Sequence, residues 1–351
     1  MANQSIGTPR FYVDFTQLFK TKGFYFWEEG LQNVNKIDNN DAESNNNIWD
    51  FDLYRPQTYN AIEAKPDFYF YTNEDKNFSR LAGLANWAGF FNHDFASSFQ
   101  SEKSLIIGGT FGGQDKNTDL TDIYNCNNID RNGFSIGTFD EFGEESVDRI
   151  YLGLRQSDTY PTDLVEPFSV ACASFGRFYD MPNSPDLSVK KSIEYEGVNI
   201  QRTLGGGDYV QIDNFGTPDW ISGEPWALVH PNESNSRVGK HGRRSWQLTF
   251  SYISNDNLFF DTNRLNSFGD LDYVQGSSNN PVSAGSEIQQ IFDLTMCGAF
   301  SFIFCPDKDS TDADGNPNPE FAQCRLDQSS LSATQIAYQT WNISMNVVEV
   351  W

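Results

Sequence analysis

Residues 286–351 carry apolar side chains first at a helical period and then at the period of a strand. Ser286-Glu287-Ile288-Gln289 forms a capping box, in which the serine hydroxyl accepts from a free helix N–H while the glutamine reaches back to the cap's own amide. Ile288, Ile291, Phe292, Thr295 and Met296 then fall on one face of a helix, and Gly298 supplies its stop. Alternation follows, with Phe300, Phe302 and Phe304, then Ala322, Cys324 and Leu326, then Trp341, Ile343, Met345 and Val347. The pattern predicts one amphipathic helix on a sheet that the last strand completes.

Upstream, the chain is punctuated as short strands. Phe11-Tyr12-Val13-Asp14-Phe15 and Phe24-Tyr25-Phe26-Trp27 precede a polar loop, and Phe68-Tyr69-Phe70-Tyr71 follows Pro56 and Pro66. Ser79 is placed to cap a short helix through Leu81, Leu84 and Trp87, and further strands are predicted over 88–95, 105–109, 149–154 and 168–175. Pro182 and Pro185 make a stiff turn that cannot enter a sheet interior, which sets a boundary between residues 1–178, an all-β sandwich, and residues 179–351. Beyond it, 191–204 reads as a hairpin turning at Glu196-Gly197, with Tyr209 to Ile212 extending the sheet. Trp246, Leu248, Phe250 and Tyr252 alternate as a strand, and 255–285 reads as a long exposed loop.

Composition narrows the class. Fifteen tyrosines, 30 phenylalanines and 27 glycines suit strands joined by turns, so the fold class is mostly β. The net charge of −24 is spread over both halves, which excludes a nucleic-acid-binding surface and an anionic membrane surface as partners. The sequence has no run of apolar residues long enough to span a membrane and nothing resembling a signal peptide at its start, so a chain made in the cytoplasm is expected. Five cysteines without a CxxC pair indicate neither a disulfide framework nor a zinc site, and Cys297, Cys305 and Cys324 fit reduced core positions.

Candidate chemistry is sparse. His93, His230 and His241 are far apart and no HExxH, GxSxG or Cys-His signature accompanies them, so no enzyme and no cofactor is expected. Gly108, Gly109, Gly112 and Gly113 lack the lysine and helix of a phosphate loop and are read as turns. The acidic stretch 307–316 has calcium-type oxygen ligands, but aligned on Gly315 it puts Phe321 where the bidentate glutamate belongs, so it is read as a solvated connection without metal. The scarce positive charge gathers at Arg237, Lys240, Arg243 and Arg244, a candidate interface for an acidic surface on another subunit or a cluster neutralised by the chain's own carboxylates.

Gly242-Arg243-Arg244-Ser245-Trp246 through Tyr252, the helix, 302–307, 321–327, 341–351 and Tyr179 through Leu187 together resemble a structural protein of the tail tip or baseplate of tailed bacteriophages, similar to distal tail proteins. The resemblance covers 175–351. It implies a tail-tube-like β-sandwich or split barrel with one flanking α-helix, in a virion component made in the host cytoplasm. Its copies would form a homomeric ring, a hexamer, that joins the tail tube to tail-tip or baseplate proteins. Phe90 through Phe95 and Arg149 through Leu152 more faintly resemble a galactose-binding, discoidin-like jelly roll over residues 1–178, which implies a host glycan as a further partner. No membrane insertion is expected, because no apolar run is long enough. The alternative expectation is a soluble glycan-binding or glycan-cleaving β-sandwich protein.

Overall fold

The computed structural model describes residues 7–21, 25–29, 31–33, 47–53, 57–61, 67–71, 81–93, 103–111, 114–119, 121–126, 133–141, 147–156, 168–194, 198–212, 243–258, 287–311, 315 and 319–350. The chain is mostly β. The first strands are β1 (Arg10–Asp14), β2 (Tyr25–Glu29), β3 (Leu31–Asn33), β4 (Gln57–Ala61), β5 (Asp67–Tyr71) and β6 (Trp87–His93). They are followed by β7 (Lys103–Phe111), β8 (Gln114–Asp119), β9 (Thr121–Cys126), β10 (Gly133–Thr138), β11 (Val147–Gln156) and β12 (Phe168–Asp180). Then come β13 (Lys190–Glu194), β14 (Val198–Arg202), β15 (Asp208–Ile212), β16 (Arg243–Ser254), β17 (Phe302–Cys305), β18 (Ala322–Leu326), β19 (Ala333–Ala337) and β20 (Thr340–Glu349). Among the helices are α1 (Thr16–Lys20), α2 (Asn255–Leu258) and α3 (Glu287–Leu294).

A large antiparallel sheet runs in the order β13-β16-β20-β18-β17-β1-β12-β6-β10-β9, with β19 on β20 and β3–β4 joined through β12. A second sheet has the order β2-β5-β11-β7-β8, and β14–β15 is a two-stranded ribbon of its own. Up to β12 the chain passes back and forth between the first two sheets.

The centre of the large sheet is β1, paired with β12 on one side and β17 on the other. Successive side chains of a strand point to opposite faces, and here both faces are covered. Phe11, Val13, Phe302 and Phe304 enter one core together with Trp246, Leu248, Phe250, Ile343, Met345 and the helix residues Ile288, Ile291 and Phe292. Tyr12, Ile303 and Cys305 enter another, with Trp87, Phe91, Ile136 and Phe321. The position between residues 178 and 179 thus lies inside β12, and the sheet is continuous past it through β1.

Asp14 ends β1 and starts α1. Its buried carboxylate accepts from the amides of Thr16 (3.1 Å) and Gln17 (2.8 Å) and from the hydroxyls of Thr16 (2.7 Å) and Ser174 (2.5 Å). Gln17 in turn donates to the carbonyl of Ser301, just before β17 (2.8 Å). Burial pushes the Asp14 carboxyl above its ordinary range, against the pull of these hydrogen bonds.

The helix forms where its apolar period predicts, but ends earlier. Thr295 is buried with its hydroxyl on the carbonyl of Ile291 (2.7 Å), whereas Met296 is half exposed rather than on the buried face. Met296 and Cys297 have positive φ (47° and 53°), and the Cys297 amide closes the turn on the Phe292 carbonyl at 2.8 Å. Gly298 follows at φ 88°, and a Cβ there would stand 2.1 Å from the Leu326 carbonyl oxygen.

Four other expectations are corrected. Tyr252 does not continue the buried alternation of β16: the register shifts between Phe250 and Ile253, Tyr252 adopts φ 61°, and the buried phase passes to Ile253. Residues 191–204 do not form a hairpin, because β13 pairs with β16 while β14 pairs with β15. The reversal sits in the 203–207 loop, closed by Thr203 and Gly207 and eased by Gly206 at φ 83°. Gly108 and Gly109 are not turns, since both lie within β7 opposite Tyr151 and Ile150. Trp87 opens β6 instead of ending a helix.

Candidate assembly interface

The predicted basic cluster meets the start of β16. Arg244 is nearly buried there, and its backbone amide (2.9 Å) and Nε (3.0 Å) donate to Oε2 of Glu349 while Nη2 donates to Oε1 (2.5 Å). Nη1 reaches Glu320, whose two carboxylate oxygens also lie 3.0 Å from Nζ of Lys191. The indole of Trp246 packs beneath both cations, 5.4 Å from the guanidinium carbon and 5.6 Å from the ammonium. Burial works against the charge on Arg244, but the bonds to Glu349 outweigh it and hold the guanidinium protonated. Burial likewise works against the Glu320 carboxylate, yet Arg244 and Lys191 keep it below the ordinary glutamate range.

This cluster ties β13, β16, β20 and the segment before β18 together, with Arg244 ion-paired within its own chain. Reversing it to glutamate would set a third carboxylate beside Glu320 and Glu349 and damage folding before assembly. Arg243 is half-buried opposite Glu194 in the β13–β16 register. Arg237 and Lys240 lie outside the described residues.

Large apolar side chains that are exposed among the described residues all fall between 187 and 338. Some lie on the β14–β15 ribbon. The register sets Ile200 against Val210 on one face, 63% and 52% exposed, beside an Arg202–Asp208 ion pair at 3.3 Å. Tyr209 is on the other face and Leu204 at the tip, both exposed. Others gather where β16 ends and β20 begins: Tyr252 is 75% and Tyr338 85% exposed, with Ile336 near by on β19. The Tyr252 amide donates to Asn342 (3.2 Å) and the Asn255 amide to the carbonyl of Gln339 (3.0 Å), which fixes this end of the sheet. Periodicity missed both surfaces. Two signals mark them: the Gly205-Gly206-Gly207 run, and residues 328–348, the longest stretch of the chain without a charge.

The remaining candidates are closed or lie elsewhere. His93 Nε2 is 2.9 Å from the Ser135 hydroxyl, and both residues are buried. His230 and His241 lie outside the described residues. Cys172, Cys305 and Cys324 are buried free thiols, and burial pushes Cys305 up to about 12, while Cys297 is half-buried. In the 307–316 stretch the Asp307 carboxylate accepts from the Asp309 amide (3.0 Å), while Asp312 and Asp314 lie outside the described residues. Among the described residues no group of three His, Cys, Asp or Glu side chains is arranged to hold a metal, and no helix is long and apolar enough to cross a membrane. No family model, no curated protein and no solved structure matches the chain.

Proposed function

We propose that this chain is a structural protein of a tailed-bacteriophage virion, a distal-tail or baseplate-hub component whose copies close into a homomeric ring joining the tail tube to the tail tip. The observation that carries the reading is the helix-on-sheet unit: α3 shares one apolar core with β16, β20, β18, β17, β1 and the end of β12, the kind of arrangement that the resemblance over 175–351 implies. The back-and-forth passage of β1 to β12 between two sheets supports a jelly-roll-like sandwich for the first part of the chain. The finer description is then a β-sandwich followed by a tail-tube-like sandwich or split barrel with one flanking helix. Exposed apolar side chains on the second part, in a chain of net charge −24, suit a protein that works by contact with its own kind and with neutral tail surfaces. Light scattering on the purified full chain, with electron microscopy of the same sample, tests the reading. Closed rings of one subunit number are expected, and a monomer at every concentration up to the millimolar range overturns it.

A further inference from the structure

The β14–β15 ribbon and the β19–β20 end have three properties in common. Each exposes large apolar side chains, each is free of net charge, and each belongs to a strand pair with an edge unpaired among the described residues. The ribbon carries one arginine and one aspartate, paired with each other, and residues 328–348 carry no charge at all. Edge strands are ordinarily guarded by charged side chains, and β19 has none although four of its five residues are exposed. A second copy of this chain also bears a charge of −24, so two copies repel over most of their surfaces and approach freely at neutral ones.

The two surfaces lie at opposite ends of the same strands. β13 runs antiparallel to β16, with Glu194 opposite Arg243, and Val198 follows within about 14 Å because four residue steps span no more. The ribbon therefore springs from the end where β16 begins and β20 finishes. Tyr252 and Tyr338 are at the other end, where Ile253 faces Trp341 and Ser254 faces Thr340. Roughly 25–30 Å of strand separates them at about 3.3 Å per residue. An apolar arm at one end and an apolar seat at the other define a head-to-tail contact, the kind that closes a ring or continues as a filament.

We infer that the β14–β15 ribbon of one copy docks on the Tyr252, Ile336 and Tyr338 surface of the next. The ribbon supports this role because it is preformed: the Thr203 amide and hydroxyl both bond the Gly207 carbonyl at 2.8 Å, so the arm loses little freedom on binding. A two-stranded hairpin alone in water is marginal, and a neighbouring copy would cover the Ile200, Val210 and Leu204 side chains that are exposed here. The inference rests on the proposed self-assembly but names its contact.

Cross-linking between copies tests it. Leu204→Cys and Tyr338→Cys are made separately in full-length chain carrying Cys126→Ser and Cys297→Ser, which leaves only the buried native thiols Cys172, Cys305 and Cys324, and the parent with those two serines serves as the blank. A short bis-maleimide is expected to give covalent dimers from the mixture of the two variants and none from either alone. A chain with both cysteines should give a ladder, and Ile200→Ser with Val210→Ser should lower the yield at least tenfold while circular dichroism is unchanged. Leu204→Cys joining to itself, or no product from the mixture in a sample that light scattering shows to be assembled, overturns the docking and leaves the ring reading standing. A ladder from open filaments supports the docking and overturns the ring.

Discussion

β17 and the β14–β15 ribbon belong to the same half of the chain and have opposite fates. The four residues of β17, Phe302-Ile303-Phe304-Cys305, are buried on both faces because β1 and β18 flank the strand and a core covers each side. Among the described residues the ribbon pairs only its own two strands, and its Ile200, Tyr209 and Val210 are exposed on both faces. Apolar content does not separate them, since both are rich in large side chains. Strand neighbours do: a segment between two partners is held in place while its faces are covered, and a ribbon outside the sheet keeps its faces for another surface.

The contrast breaks most directly at Phe304, whose ring lies 5.0 Å from Phe11 and 5.3 Å from Trp246. Phe304→Ala should lose about 3–5 kcal/mol of unfolding free energy through lost burial and the cavity left behind, read from urea denaturation. A loss under 1 kcal/mol would mean that the core relaxes around the gap.

A smaller effect is expected at the Arg244 cluster and depends on pH. The folded Glu320 carboxyl lies below its unfolded value, so its contribution is complete above the ordinary glutamate range and is lost as pH falls through the folded value. Asp14 has the opposite sign. Its raised folded value means that its contribution is complete at low pH and declines as pH rises through that value. Comparing Glu320→Gln with the parent isolates the first: the melting temperatures should differ at pH 7 and converge as pH falls through the folded Glu320 value. Because Glu320 is partly open to solvent, the difference should amount to about 1 kcal/mol or less. A constant gap across the titration would assign the effect to packing.

The smallest effect should fall on the ribbon. Ile200→Ser and Val210→Ser should each change unfolding free energy by no more than about 0.5 kcal/mol, because neither removes a buried contact. A loss of 2 kcal/mol in either, measured at a concentration where the chain is monomeric, would show that the ribbon packs on its own chain and would dissolve the comparison with β17.

What could be read beforehand follows from the range of the interaction. The α3 period, the Gly298 stop and the alternation of Trp246 to Phe250, Ala322 to Leu326 and Ile343 to Val347 were legible because local period and core face agree there. The near-continuous apolar run in β1 carried a sign of two-sided burial, but nothing local tells that strand to insert between β12 and β17. The bulge at Tyr252 was invisible because a tyrosine at positive φ has no sequence mark. Arg244 was legible as one of few cations. Its partners Glu320 and Glu349 were not, being two among 48 acidic residues.

The central place of β1 also sets the order in which this molecule can be completed. Its Arg10 bonds Asp180, 170 residues away, and Gln17, just past its end, meets Ser301 across 284 residues. During synthesis at roughly 5–20 residues per second, β1 leaves the ribosome many seconds before β17 exists. In that interval one edge of β1 can pair with β12, while its other edge and the face formed by Phe11 and Val13 stay open. Such distant pairing folds slowly. The nascent chain is therefore at greatest risk of joining a wrong strand late in translation, and a chaperone that shields an unpaired edge would raise the yield of native protein more than one that acts on the finished chain.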